Sequence, residues 1–176
     1  MKNEAILRIL SSFILIPIAL FFIIKGSFFF IFFLSICFFI TIFEWYKMTK
    51  NKNYSLFGFF FLILSFSTVF IFRNISLNDF LLVILICVST DIGGFVFGKI
   101  FKGPKLSKIS PNKTYSGMIG SFFLSIISAL FYTKYSGLIY LSDNVLLITV
   151  ILISSVSQIG DLTVSYFKRI SKIKNT

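Results

Sequence analysis

The sequence predicts an all-α fold: a polytopic transmembrane helical bundle of about six spans, with both termini cytoplasmic. Three observations carry that reading. Of the 176 residues 57% are hydrophobic and only 13% charged, and the mean hydropathy is +0.96, outside the range of ordinary soluble domains. The apolar residues are gathered into runs long enough to cross about 30 Å of hydrocarbon at about 1.5 Å per residue. The basic residues stand in short clusters between those runs, as membrane topology is written. The net charge of +11 therefore forms no single amphipathic or aromatic-interleaved patch, and nucleic acid is not expected as a partner.

The runs cover approximately residues 6–24, 27–43, 56–72, 79–100, 115–133 and 145–167. The first follows Lys2 and Arg8, has no small-x-small cleavage site and continues to Ile24, so it reads as an uncleaved span rather than a signal peptide. The second ends in Glu44-Trp45-Tyr46, an interfacial aromatic belt ahead of a basic loop reaching Asn53. Cys37 and Cys87 both lie inside runs and are expected as buried small hydrophobes without a disulfide. The chain has no histidine, which excludes His-based metal sites and His general bases.

The fourth run, LVILICVSTDIGGFVFGKIF, places Cys87, Asp91, Gly94 and Gly98 on one helix face. Its glycines admit another helix or a ligand close to the backbone beside a carboxylate. The loop that follows holds Lys102, Lys105, Lys108 and Lys113 together with Pro104 and Pro111. Ser110-Pro111 reads as a helix start, where free amides with Lys113 and Thr114 could hold phosphate. In the last run Ser154, Ser157, Asp161, Ser165 and Lys168 fall at helical steps and make one polar stripe. Such a stripe must face other helices or a wet cavity rather than lipid tails.

Orientation follows from the 17 basic residues. With the N-terminus cytoplasmic, only Lys25, Arg73 and Lys134 fall on the far side, and all the others fall on the cytoplasmic side. No internal repeat and no long linker divides the chain, so residues 1–176 are expected to form a single integral-membrane domain. Its expected location is the cell inner (plasma) membrane, multi-pass, with the active site facing the cytoplasm.

The six acidic residues are Glu4, Glu44, Asp79, Asp91, Asp143 and Asp161. Only Asp91 and Asp161 lie well within spans, where a charge costs about 3 kcal/mol unless compensated. Carboxylates can hold a divalent cation such as magnesium, while lysines and an arginine bind phosphates. Together at the cytoplasmic side of an apolar bundle, they suit phosphoryl or nucleotidyl transfer to a lipid head group.

Three segments then carry a resemblance. Asp91 to Lys99, DIGGFVFGK, resembles the D-x-G-x-x-x-x-G-[RK] segment of bacterial phosphatidate cytidylyltransferases, the enzymes that make CDP-diacylglycerol. Ser110 to Gly117, SPNKTYSG, resembles that family's S-P-x-K-T-x-x-G loop, and Ser157 to Arg169, SQIGDLTVSYFKR, its S-Q-x-G-D-x-x-x-S-x-x-K-R segment. The resemblance implies that CTP and phosphatidate give CDP-diacylglycerol and pyrophosphate with Mg2+ as cofactor. It implies Asp161 as metal ligand, with Asp91 and Lys113 completing the catalytic set. Ser165, Lys168 and Arg169 would contact phosphate, and Ser110, Thr114 and Lys113 would bind the nucleotide or lipid phosphate. CTP, phosphatidate and membrane lipids are the implied partners, with a homo-oligomer left open.

The family signature continues beyond the K-R pair into a segment with a second metal-binding aspartate, whereas this sequence ends at Thr176. Two-metal chemistry draws carboxylates from both segments, so the expectation is of a truncated chain that is inactive or impaired on its own. Two readings compete with an active enzyme: a non-catalytic remnant, and a membrane transporter using intramembrane Asp91 and Asp161. A phosphatidyltransferase is disfavoured, because nothing near either aspartate matches D-G-x-x-A-R.

Overall fold

The computed structural model describes residues 2–49, 54–106, 110, 113–136 and 142–171, with side chains from residue 14 onward. Pro111 and Lys50, Lys52, Lys108, Lys172 and Lys174, used in the sequence reading, lie outside them. Six helices follow one another: α1 (Lys2–Lys25), α2 (Ser27–Thr49), α3 (Ser55–Ile75), α4 (Leu77–Phe101), α5 (Tyr115–Ser136) and α6 (Asp143–Ile170). Helix is what a spanning segment must form, since only it satisfies every backbone donor and acceptor without water. Helices α2 to α6 are each long and apolar enough to cross a membrane, and α1 contributes a shorter apolar stretch, Ile14–Lys25. The chain is a polytopic membrane protein.

The helices outrun the apolar runs at their ends. Helix α2 carries on through Glu44-Trp45-Tyr46-Lys47 to Thr49, and α6 through Lys168 and Arg169 to Ile170. Interfacial residues keep helical backbone while their polar ends reach water. Serines and threonines inside the spans turn their hydroxyls back to the carbonyl four residues earlier, as Ser35 does to Ile31 at 2.8 Å and Thr41 to Cys37 at 2.7 Å. Cys37 and Cys87 are free thiols, half-buried rather than buried as expected, because each helix faces neighbours on only part of its circumference.

The chain divides into two compact units, Met1–Leu77 and Asn78–Thr176. In the first, Gly26 (φ +67) and Ser27 (φ +46) turn the chain between α1 and α2. Arg73, at the end of α3, closes this turn. Its Nε and Nη2 donate to the Ile23 carbonyl at 3.0 and 2.7 Å, and Nη2 also donates to that of Ile24 at 3.1 Å. A helix C-terminus leaves such carbonyls without intrahelical partners. The far ends of α2 and α3 are pinned by Trp45, whose Nε1 donates to the Ser55 carbonyl at 3.1 Å, and by the Thr49 and Ser55 hydroxyls, 3.0 Å apart.

In the second unit α5 runs antiparallel to α4 and α6, and the three pack in layers. Leu82, Ile86, Ala129, Leu146 and Val150 form the apolar core. One layer along, the buried residues are small and hydroxylated: Ser89, Thr90, Ser121, Ser125 and Ser154. The next layer opens into a cavity.

Candidate active site

Close approach of α4 and α5 makes one wall of that cavity. A Cβ on Gly93 would lie 2.5 Å from the Gly120 carbonyl oxygen, and one on Gly117 would lie 2.7 Å from that of Gly94. Contact at this range requires glycine on both helices. The α4 glycines therefore serve first to admit α5, while Gly94 also lines the cavity.

The second element is the loop from Lys102 to Thr114. It is folded onto the start of α5 by backbone hydrogen bonds: Leu106 N–H to Lys113 O at 2.8 Å, Tyr115 N–H to Pro104 O at 3.1 Å, and Lys113 N–H to Ser110 O at 3.1 Å. Helix α5 begins at Tyr115, so the expected start at Ser110 is corrected: Ser110 lies in the loop and Pro111 outside the described residues. Thr114 is the capping residue, accepting the Gly117 N–H at 3.2 Å. With the Tyr115 and Gly117 amides partnered, the anion-binding groups expected of a bare helix start are partly used up, and Lys113 is the cation presented there.

The third element is the polar stripe of α6. Ser154 is fully buried and accepts from Thr90 Oγ1 at 3.0 Å, so this part of the stripe faces α4. One turn further, Asp161 Oδ2 accepts from Lys113 Nζ at 2.8 Å, with the lysine side chain 28% and the carboxylate 59% exposed.

These elements enclose a cavity of about 220 Å³. Its polar lining comes from Thr90, Asp91, Lys113, Thr114, Ser121, Gln158 and Asp161, and its apolar lining includes Phe95, Leu106 and Met118. Of the residues singled out by sequence, Asp91, Lys113, Thr114 and Asp161 meet here. Ser110 stands behind Lys113 in the loop. Ser165 does not line the cavity but turns its hydroxyl back to the Asp161 carbonyl at 2.8 Å. Lys168 and Arg169 lie in the last turn of α6, beyond the cavity lining.

Thr90 and Gln158 were missed. Gln158 stands three residues before Asp161, a helical step that marks it, and its Nε2 donates to Ser154 Oγ at 3.4 Å. Thr90 had no sequence signal beyond its place beside Asp91. It shows only once Ser121 Oγ is seen donating to its carbonyl at 2.7 Å.

Among the described residues no three Cys, Asp or Glu side chains cluster as a closed metal cage. Asp91 and Asp161 nonetheless bring two carboxylates to one cavity. That donor set fits magnesium, which commonly takes one or two protein carboxylates and completes its shell with water and phosphate oxygens.

The model of the cytidylyltransferase family matches residues 6–78 and 54–176. The phosphatidate cytidylyltransferase of Rickettsia bellii is 30% identical over 99% of this chain and 80% of its own length. That of Rickettsia prowazekii is 31% identical over 76% of the chain and 62% of its own length, and that of Staphylococcus saprophyticus 35% identical over 59% and 40%. No solved structure matches. With family matches that together take in both units and the cavity, the chain belongs to the cytidylyltransferase family and is a membrane-embedded nucleotidyltransferase.

Proposed function

We propose that this chain makes CDP-diacylglycerol and pyrophosphate from CTP and phosphatidate in the bacterial inner membrane, with the cavity open to the cytoplasm. The observation that carries the reading is the meeting of Asp91, Lys113 and Asp161, from three separate elements, on one cavity inside an apolar bundle. The similarity to relatives named phosphatidate cytidylyltransferase supports the choice of substrates. The clustering of Lys99, Lys102, Lys105 and Lys113 at the cavity end supports the cytoplasmic orientation.

In the reaction a phosphate oxygen of phosphatidate forms a bond to the α-phosphorus of CTP, and the bond from that phosphorus to the bridging oxygen breaks, releasing pyrophosphate. The chain's part is mostly positioning. Lys113, held by the folded loop, binds phosphate oxygens, and Thr114 and Ser110 set the loop that presents it. Ser165, Lys168 and Arg169 continue the phosphate-binding face along α6 towards the membrane surface, where the lipid head group arrives. Asp161, with Asp91 beside it, would hold magnesium, which when bound neutralises charge on the phosphates. The cavity of about 220 Å³ suits phosphate groups, and the cytidine then lies at its mouth.

The test is formation of CDP-diacylglycerol from labelled CTP and phosphatidate, with magnesium, in membranes expressing this chain. Asp161→Asn keeps the shape and removes the charge, and is expected to lower the rate about a hundredfold, the usual scale for losing one electrostatic stabiliser. No product from the chain, or an Asn variant as active as the parent, overturns the reading.

A further inference from the structure

Lys113 and Asp161 are each assigned a ligand above, yet they are bonded to one another. The ammonium sits 2.8 Å from Asp161 Oδ2, so a cation already occupies one oxygen of the carboxylate. The backbone of Lys113 is tied on both sides by the Leu106 and Ser110 hydrogen bonds, whereas a lysine's four-carbon stem is intrinsically flexible. Asp91 lines the same cavity, and the bond to the ammonium is made by Asp161.

Resting on the proposed function, we infer that Lys113 is an exchangeable internal cation that couples occupancy of the two ligand sites. It holds Asp161 while the cavity is empty. It yields that carboxylate to a divalent cation, and the released ammonium takes up the phosphates of the nucleotide. An intramembrane carboxylate left bare is costly, and a half-exposed ion pair is weak enough to be exchanged. Each ligand therefore favours the other: the metal frees the lysine for phosphate, and phosphate holds the lysine away from the carboxylate. Such coupling is reciprocal by linkage.

The experiment uses the full chain in detergent or nanodiscs and reads binding, not turnover. Mn2+ affinity is measured by electron paramagnetic resonance without nucleotide, for the parent, Lys113→Met and Lys105→Gln. Lys105 is an exposed lysine of the same loop and controls for the general loss of positive charge. Lys113→Met is expected to bind Mn2+ about fivefold tighter than the parent, the scale of a half-exposed ion pair removed, with Lys105→Gln changed by less than twofold. In parallel, reductive methylation of the parent is read at Lys113 by mass spectrometry. Modification should rise several-fold on adding Mg2+ alone and fall again when CTP is added. Equal Mn2+ affinity of parent and Lys113→Met, or Lys113 labelling indifferent to Mg2+, overturns the exchange while leaving the proposed function standing. Failure of every chain to bind Mn2+ overturns the exchange and the proposed metal site together.

Discussion

At the scale of single residues, several polar side chains that would be costly in an apolar bundle are partnered. Arg73 is the clearest case in the first unit. Its guanidinium satisfies the Ile23 and Ile24 carbonyls and lies over the Phe30 ring at 5.5 Å. Arg73→Gln is expected to destabilise this unit by about 2 kcal/mol, the scale of charged hydrogen bonds lost from buried acceptors, measured by thermal unfolding in detergent. In the second unit Thr90 and Ser154 are buried and bonded hydroxyl to hydroxyl. Thr90→Val leaves Ser154 one partner short and is expected to cost about 1 kcal/mol. It should also loosen Gln158, and hence raise KM for CTP more than it lowers kcat. Asp91 and Asp161 stood out in the sequence because charge is rare at that depth. Thr90 and Gln158 did not, because uncharged polar residues in a span are commonly satisfied by their own helix.

At the scale of elements, the glycine contact decides where the cavity lies. Helices α4 and α5 touch backbone to backbone at Gly93–Gly120 and Gly94–Gly117, which brings the start of α5 level with Gly98 and lets the long Lys113 side chain line the same cavity as Asp91. Gly117→Val would set side-chain atoms against the Gly94 carbonyl. It is expected to cost about 2 kcal/mol by overpacking and to weaken CTP binding, since Lys113 would be carried away from the cavity. Binding of a fluorescent CTP analogue to the variant and the parent checks both effects. The glycine face on α4 was legible from its spacing, but not its partner, because a small-residue stripe does not name the helix it meets. The loop was legible as basic and as a phosphate-binding candidate, but not in its fold. Its fold rests on main-chain bonds between residues 104–106 and 113–115, which side-chain chemistry does not encode.

For the whole molecule, the charge distribution predicts which ends face which side. A thiol reagent that does not cross membranes should label Lys134→Cys from the outside of intact cells and leave Lys105→Cys unlabelled until the membrane is opened. The cysteines already present, Cys37 and Cys87, are first replaced by alanine. The opposite pattern would invert the proposed orientation. The geometry agrees with the charge rule inside the first unit, since Arg73 reaches the end of α1 and so shares a side with Lys25. What the sequence by itself determined is the membrane-spanning helical class, the spans to within a few residues, and two carboxylates that need a purpose. Each of these follows from local chemistry: the length of an apolar run, the cost of a charge in lipid, and the step of a helix. Only the tertiary structure decided which groups meet. Asp161 faces Lys113 across 48 positions of chain, Thr90 meets Ser154 across 64, and Lys168 and Arg169 fall outside the cavity lining. Those outcomes depend on how closely three helices approach and in what register, which small residues permit but do not specify.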